Sequence, residues 1–436
     1  MADSVCIFED EGAGRFLPLT YVRPVYDLRC GMTTLQEKIF RAYPRAVRSL
    51  HCRSYLADAV RERMAPTAVN QPPGSRCLFL NGRVIAADDL ARKIPLGGSD
   101  RIYLSQDGTL IAARVTPTAD TRSLLSNLWD RLTGGHPITA SDFPPLPSEQ
   151  VDVRLVTYPW DLVNANGRQI SEDFAVLLKV KKIRGKKVRG KVYAGARLLN
   201  RKDIIIGEGS KVKPGAVLDA ENGPIVLGRN VTIYPNAVIE GPAFVGDGSL
   251  IKIGAKIYES TSIGEVCKVG GEVEASILHS YSNKQHDGFL GHSYLGMWVN
   301  LGADTNNSDL KNNYSAVKVT INGRSVDSGS QFVGLIMGDH SKSGINTMFN
   351  TGTVVGVGCN VYGGGFPPKD IPSFCWGGSD DLVTYELDKC LDVARKVMAR
   401  RKVELSPTEE RLLREVFEST KAERERAVGQ RGSSAT

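Results

Sequence analysis

Eight cysteines are scattered through 436 residues without one C-x-x-C pair, which excludes a thiolate zinc knuckle and supplies no disulfide framework. They read as reduced packing residues. Long apolar runs are missing too: nothing approaches the roughly 20 residues that span a bilayer, and the opening MADSVCIFEDEG carries acids where a secretory leader carries cations. A soluble, cytoplasmic protein without a membrane partner is expected. Charge of one sign is scarce outside a single stretch. The net charge of +7 is modest for this length, and part of it sits in KVKKIRGKKVRGK (179–191), with eight cations and no acid. No aromatic residue interleaves with those cations, so bases would find no stacking platform. The stretch reads as a solvated linker, and no nucleic-acid partner is expected.

What is present is a period. An aliphatic or small residue recurs at every sixth position, at Leu227, Ile233, Ile239, Val245, Ile251, Ile257, Ile263, Val269 and Ala275. Ile206, Val212 and Leu218 hold the same step, with a slip of three residues around AENGP. A period of six fits neither the 3.6 of a helix face nor the 2 of a strand. It suits a short strand plus a corner, repeated, with three hexads closing one triangular coil. The markers then stack inside a prism and form its core. The pattern fades over 276–289 and again over 304–330, where insertions project from the solenoid and function is expected.

After Trp376 the text turns helical, with Ser406 and Glu409 forming a capping box around Pro407. These helices are expected either to brace the prism or to make an oligomer contact. In the first 180 residues the apolar bursts VCIF, CLFL and RIYL alternate with the helical stretches TTLQEKIFRAY and TRSLLSNLWDRL, the pattern of an α/β domain. The division expected is therefore 1–180 α/β, 181–191 basic linker, 192–376 β-helix and 377–430 helices.

Within the α/β part, GRFLPLTYVRPVYDLR resembles the opening of sugar-1-phosphate nucleotidyltransferases. Gly12, Gly14 and Arg15 match the glycine-rich turn, Pro18-Leu19-Thr20 the middle, and Arg23-Pro24 the end. The resemblance implies that Gly12, Gly14, Arg15, Thr20 and Arg23 meet nucleotide phosphates, where an arginine neutralises charge as pyrophosphate leaves. The turn is one residue short of the family's spacing. LFLNGRV (78–84) also puts Arg83 where that family carries a metal-binding Asp. Asp161, Asn164 and Asn166 of WDLVNANG are the polar groups at hand to compensate. Mg²⁺ in this domain hangs on them, and no metal ligand set is assigned.

Four of the six histidines, His279, His286, His292 and His340, fall within the repeats. Structural histidines and a three-histidine metal site of His279, His286 and His292 are two readings. A third comes from NKQHDGFLGHSYLGMWVNLGA (283–303), which resembles the acetyltransferase part of the bifunctional N-acetylglucosamine-1-phosphate uridyltransferase/glucosamine-1-phosphate N-acetyltransferase family. NSDLKNNYSAVKV and FNTGTVVGVGCNVYGGGFPP look similar to a divergent bacterial branch of it. That resemblance implies an α/β nucleotidyltransferase-like domain, a left-handed parallel β-helix of hexapeptide repeats, and C-terminal helices. It implies His286 as the catalytic base with Asn313 beside it, and Lys284, Asn300, Tyr314 and Lys318 as substrate contacts. It also implies acetyl-CoA as co-substrate, an amino-sugar phosphate and UTP or another NTP as ligands, and a homotrimer with coenzyme A between subunits. A histidine titrating near neutrality suits removal of a proton from an amino-sugar ammonium. Two other functions fit the same residues: acyl transfer to a nucleotide-linked amino sugar with a binding-only front domain, and a non-catalytic regulatory scaffold.

Overall fold

Runs such as SVCIF and CLFLN are apolar without alternation, as strands covered on both faces are, and each is buried along its whole length. They lie side by side in a seven-stranded sheet ordered Ala68–Val69, Val47–Leu50, Ser4–Phe8, Cys77–Asn81, Leu110–Val115, Arg101–Leu104, Ser148–Gln150. The first four strands are parallel, and Leu110–Val115 is antiparallel to both neighbours. The computed structural model describes residues 3–118, 123–179 and 187–432. Residues 181–186 of the expected basic linker lie outside the described residues.

From Lys191 onward the chain winds into a parallel β-helix. Its three walls are parallel ladders beginning with Lys191–Val192, Arg197–Leu199 and Ile204–Ile206, and the third continues through nine strands to Asp370–Ile371. Ile206, Leu227, Val245, Ile263, Leu278, Leu295, Met337, Val355 and Ile371 fill one inner edge, all buried in a single cluster. The six-residue spacing holds through Val269. Ala275 is the exception: it is a corner residue with φ of 41°, and the core position of its wall is Val273, paired with Ile257. The coil has shortened. Val269 follows its partner Ile251 by 18 residues, whereas Lys284 follows Val269 by 15.

The third wall does not face solvent. Its outward residues Ile205, Val226 and Phe244 pack on Met32, Ile170 and Phe174 of the α/β unit, and Ile277, Tyr294, Ile336 and Val354 pack on Phe16, Leu19 and Trp160. The long helix Pro159–Leu178 supplies much of this contact. Its Asn166 accepts from Gly31 N at 2.7 Å and from Ser262 Oγ at 3.0 Å, and donates to Ser260 O at 2.7 Å. Two ion pairs join the units as well, the second of them buried on both sides. Arg29 holds Glu265 through both carboxylate oxygens at 2.9 and 2.6 Å, and Arg23 holds Asp339.

Residues 308–333 leave the solenoid as an excursion carrying the antiparallel hairpin Lys318–Ile321/Arg324–Asp327. Val317, Val319 and Ile321 pack on Ala13 and Phe16, and Asn322 Nδ2 donates to Gly14 O at 3.0 Å. Beyond the position where the β-helix was expected to stop, Leu382–Thr384 pairs antiparallel with Cys375–Gly377. Helices Leu387–Ala399, Pro407–Ser419 and Lys421–Gly432 follow. Leu412, Leu413 and Val416 bury against Leu56 and Val60 of the α/β unit and Phe374 of the solenoid. Ser406 Oγ accepts from Glu409 N at 3.1 Å, while the Glu409 carboxylate accepts from Arg63 instead of closing the box.

Candidate functional site

Open α/β sheets bind ligands over the carboxyl ends of their parallel strands, and the Gly12–Arg15 turn lies there. A cleft of 290 Å³ is lined by Asp10, Gly12, Arg15, Arg83, Thr109 and Thr157 among others. The structure thus brings Gly12 and Arg15 together, and it separates the other expected contacts from them. Thr20 is fully buried, with Oγ1 donating to Ala13 O at 3.1 Å. Gly14 faces the hairpin through Asn322. Arg23 is a correction: it is 1% exposed, and its guanidinium is committed to Asp339, Asp27 and the His279 ring. It ties the α/β unit to the prism and offers nothing to a nucleotide.

The residues beneath the turn do not fit a divalent cation, which wants oxygen ligands and at least one or two free carboxylates. Asp10 spends both oxygens. Oδ1 accepts from Gly12 N at 3.0 Å and Arg83 Nε at 2.8 Å; Oδ2 accepts from Arg83 Nη2 at 2.5 Å and Asn81 Nδ2 at 2.8 Å. The buried neighbour Glu9 is held by Arg53 and by Val25 N. Asp161 caps its own helix by accepting from Thr157 N and Tyr158 N, and Asn166 is the interdomain pin described above. Neither compensates for the Asp that Arg83 replaces. Among the described residues no three His, Cys, Asp or Glu side chains form a cation-sized group, and that holds for His279, His286 and His292.

The histidines occupy different environments. His279 is buried with Nε2 2.8 Å from Asp27 O, and burial followed by the Arg23 charge holds it well below the ordinary imidazole range. His340 stacks on Trp298, and burial lowers it to about 3. His286 and His292 sit at the two corners flanking the strand Phe289–Gly291. The His286 ring is exposed and makes no hydrogen bond among the described residues.

His292 is placed for chemistry. Its Nδ1 lies 2.8 Å from Asp309 Oδ2, its ring stacks on Phe332 at 4.8 Å between centroids, and the side chain is 18% exposed. Nε2 has no hydrogen-bond partner among the described residues. A carboxylate on Nδ1–H fixes the tautomer that leaves Nε2 as a base. Gly291 makes room for this: a Cβ there would stand 2.2 Å from Asp309 Oδ2. The sequence reasoning missed Asp309. The available signal was an acid 17 residues after a corner histidine, about one coil onward.

The remaining expected contacts do not gather around His286. Lys284 is a correction: it is 1% exposed and points into the prism, with Nζ 2.9 Å from His286 O and 3.3 Å from Gly270 O. Burial pushes its ammonium down to about 8. Asn300 Oδ1 accepts from Asn283 Nδ2 at 3.3 Å. Asn313 is occupied by Ser315, whose N and Oγ donate to its Oδ1 at 3.2 and 2.9 Å. Tyr314 is exposed on the excursion and Lys318 begins the hairpin.

Fold and geometry together define a two-part protein, a nucleotidyltransferase-like α/β unit on a hexapeptide β-helix. Residues 5–182 match the family described as sugar nucleotidyl transferase. The chain is similar to the bifunctional protein GlmU of Synechococcus elongatus, 27% identical over 202 residues, which is 42% of this chain and 41% of that one. It is also similar to a bifunctional sugar-1-phosphate nucleotidylyltransferase/acetyltransferase of Sulfurisphaera tokodaii, 29% identical over 183 residues, 36% of this chain and 46% of that one. The matches thus span less than half the length of these relatives. A solved UDP-N-acetylglucosamine acyltransferase from Campylobacter jejuni aligns over 52% of this chain and 95% of its own at 13% identity. Its TM-score of 0.25 gives it no weight. Among the described residues no helix is long and apolar enough to cross a membrane.

Proposed function

We propose that this chain is a transferase of amino-sugar phosphate metabolism that N-acetylates an amino-sugar 1-phosphate with acetyl-CoA on the β-helix. The observation that carries the reading is the His292–Asp309 pair at an open corner of the prism. His292 takes the base role that the sequence suggested for His286. Its Nε2 accepts a proton from the amino-sugar ammonium while Asp309 holds the ring and stabilises the imidazolium. The freed amine forms the new C–N bond at the thioester carbonyl, the C–S bond breaks, and coenzyme A leaves as a thiolate that takes up a proton. The relative named as a bifunctional sugar-1-phosphate nucleotidylyltransferase/acetyltransferase supports the substrate class. A second prism against this corner would wall off the reaction from water, and a homotrimer with coenzyme A between subunits belongs to the same proposal.

In this reading the α/β unit serves the nucleotide or sugar-phosphate side of the same chemistry. No metal-dependent step is drawn through it, because Asp10 and Arg83 are committed to each other. The test is thiol release from acetyl-CoA over a panel of amino-sugar phosphates. Release with glucosamine 1-phosphate that His292→Ala abolishes supports the proposal. Release that survives in His292→Ala and is lost in His286→Ala moves the base to His286, and no release with any acceptor ends it.

A further inference from the structure

A cavity of 600 Å³ belongs neither to the histidine corner nor to the Asp10–Arg83 cleft. Four separate parts of the chain build it: the segment after the glycine turn through Tyr21, the excursion hairpin through Arg324, the last solenoid coils through Asp370, and the final helix through Glu423 and Arg426. Its volume is within the range of small-molecule sites.

Its charged groups stand unpaired. Two carboxylates and two guanidiniums line one space, and among the described residues none of the four makes an ion pair. Glu423 accepts from the Tyr21 hydroxyl at 3.2 Å. No hydrogen bond to Asp370, Arg324 or Arg426 side chains is formed within the described chain. Asp370, Arg324 and Arg426 stand exposed around the mouth of the cavity, and Glu423 is half-buried. Partial loss of water on its inner side, and then the neighbouring Glu423 carboxylate, push Asp370 up to about 6. Such a pair of acids is relieved by an arriving cation, while an oxyanion suits the free forks of Arg324 and Arg426.

We propose that this cavity binds a small zwitterion carrying an ammonium and a phosphate, the ammonium on Asp370 and Glu423 and the phosphate on Arg324 and Arg426. An amino-sugar phosphate has both groups, so the choice of probe rests on the proposed function, although the site itself does not. Because the wall is shared by the glycine-turn segment and the hairpin of the excursion, occupancy would bridge the two units.

The experiment is calorimetric titration of the full chain carrying His292→Ala with glucosamine 1-phosphate, glucose 1-phosphate and glucosamine. Saturable binding of glucosamine 1-phosphate is expected. Loss of either charged group should weaken it by about tenfold or more. Arg324 is exposed on a hairpin, so Arg324→Ala leaves the core intact; that change and Asp370→Asn should each weaken binding about tenfold. Absence of saturable binding, equal binding of glucose 1-phosphate, or unchanged binding in both variants overturns the proposal. Thiol release by the unmutated chain is read separately. Release without this binding leaves the acetyl-transfer proposal standing and ends this one, and binding without release does the reverse.

Discussion

An imidazole with one nitrogen tied to a carboxylate and the other open is placed to act as a base, and His292 has that arrangement. Replacing it by alanine should lower acetyl transfer by roughly 10²–10⁴-fold, the usual worth of a positioned general base. His286→Ala should stay near the unmodified rate, and Asp309→Asn should lower it. Rates from thiol release across pH check all three. At the neighbouring corner Lys284 makes a different case. It stands where Val192, Val212, Ile233, Ile251 and Val269 stand in earlier coils. Its folded value of about 8 lies below the ordinary 10.5. Below pH 8 the folded chain therefore carries a buried ammonium, and between 8 and 10.5 the unfolded chain binds more protons, so this residue's destabilisation fades as pH rises. Lys284→Met should be more stable than the unmodified chain at pH 7, and the difference should shrink towards pH 10. Chemical denaturation of both proteins at each pH measures it.

At the scale of elements, the Glu11–Phe16 turn has the outline of a phosphate loop and different contents. Its opening acid Asp10 is saturated by four donors, two of them from Arg83. A Cβ at Gly12 would meet the Arg83 guanidinium at 2.6 Å, so the turn is closed down onto a fixed cation. The expected result of a Mn²⁺ titration followed by electron paramagnetic resonance is the free-ion signal throughout, with no stoichiometric protein-bound ion and no pyrophosphate release from UTP and a sugar 1-phosphate. A bound equivalent of Mn²⁺ would contradict the reading. The substitution at position 83 was legible in the sequence. Its partner was not, because Asp10 and Arg83 are 73 residues apart and meet only through the pairing of Ser4–Phe8 with Cys77–Asn81. The β-helix was legible for the opposite reason: its six-residue step is local, and each marker reports its own coil. The step misled at Ala275, where a shortened coil changed the phase without changing the residue type.

At the scale of the molecule, the α/β unit is clamped along one prism wall. Arg23 and Asp339 are both almost fully buried, and removing one partner of such a pair strands the other charge in a dry place. Asp339→Ala should cost about 3–5 kcal/mol, and replacing both residues by apolar ones should recover most of it. Denaturant unfolding of the single and double variants decides between this role and a nucleotide role for Arg23. A nucleotide role would leave stability nearly unchanged. The clamp also covers the wall bearing Ile205, Val226 and Phe244, so any further copy of the chain must approach the other two walls.

The order of the amino acids by itself determined the α/β start, the stacked coils, the helical end and the run of repeats that holds four of the histidines. Those features repeat over short distances, and hydrophobic spacing records them directly. Tertiary structure alone decided which histidine has a carboxylate, which arginines are free, and which lysine faces inward. Each of these depends on groups far apart in the chain meeting at a corner or between units, and on coil lengths that single residues do not announce.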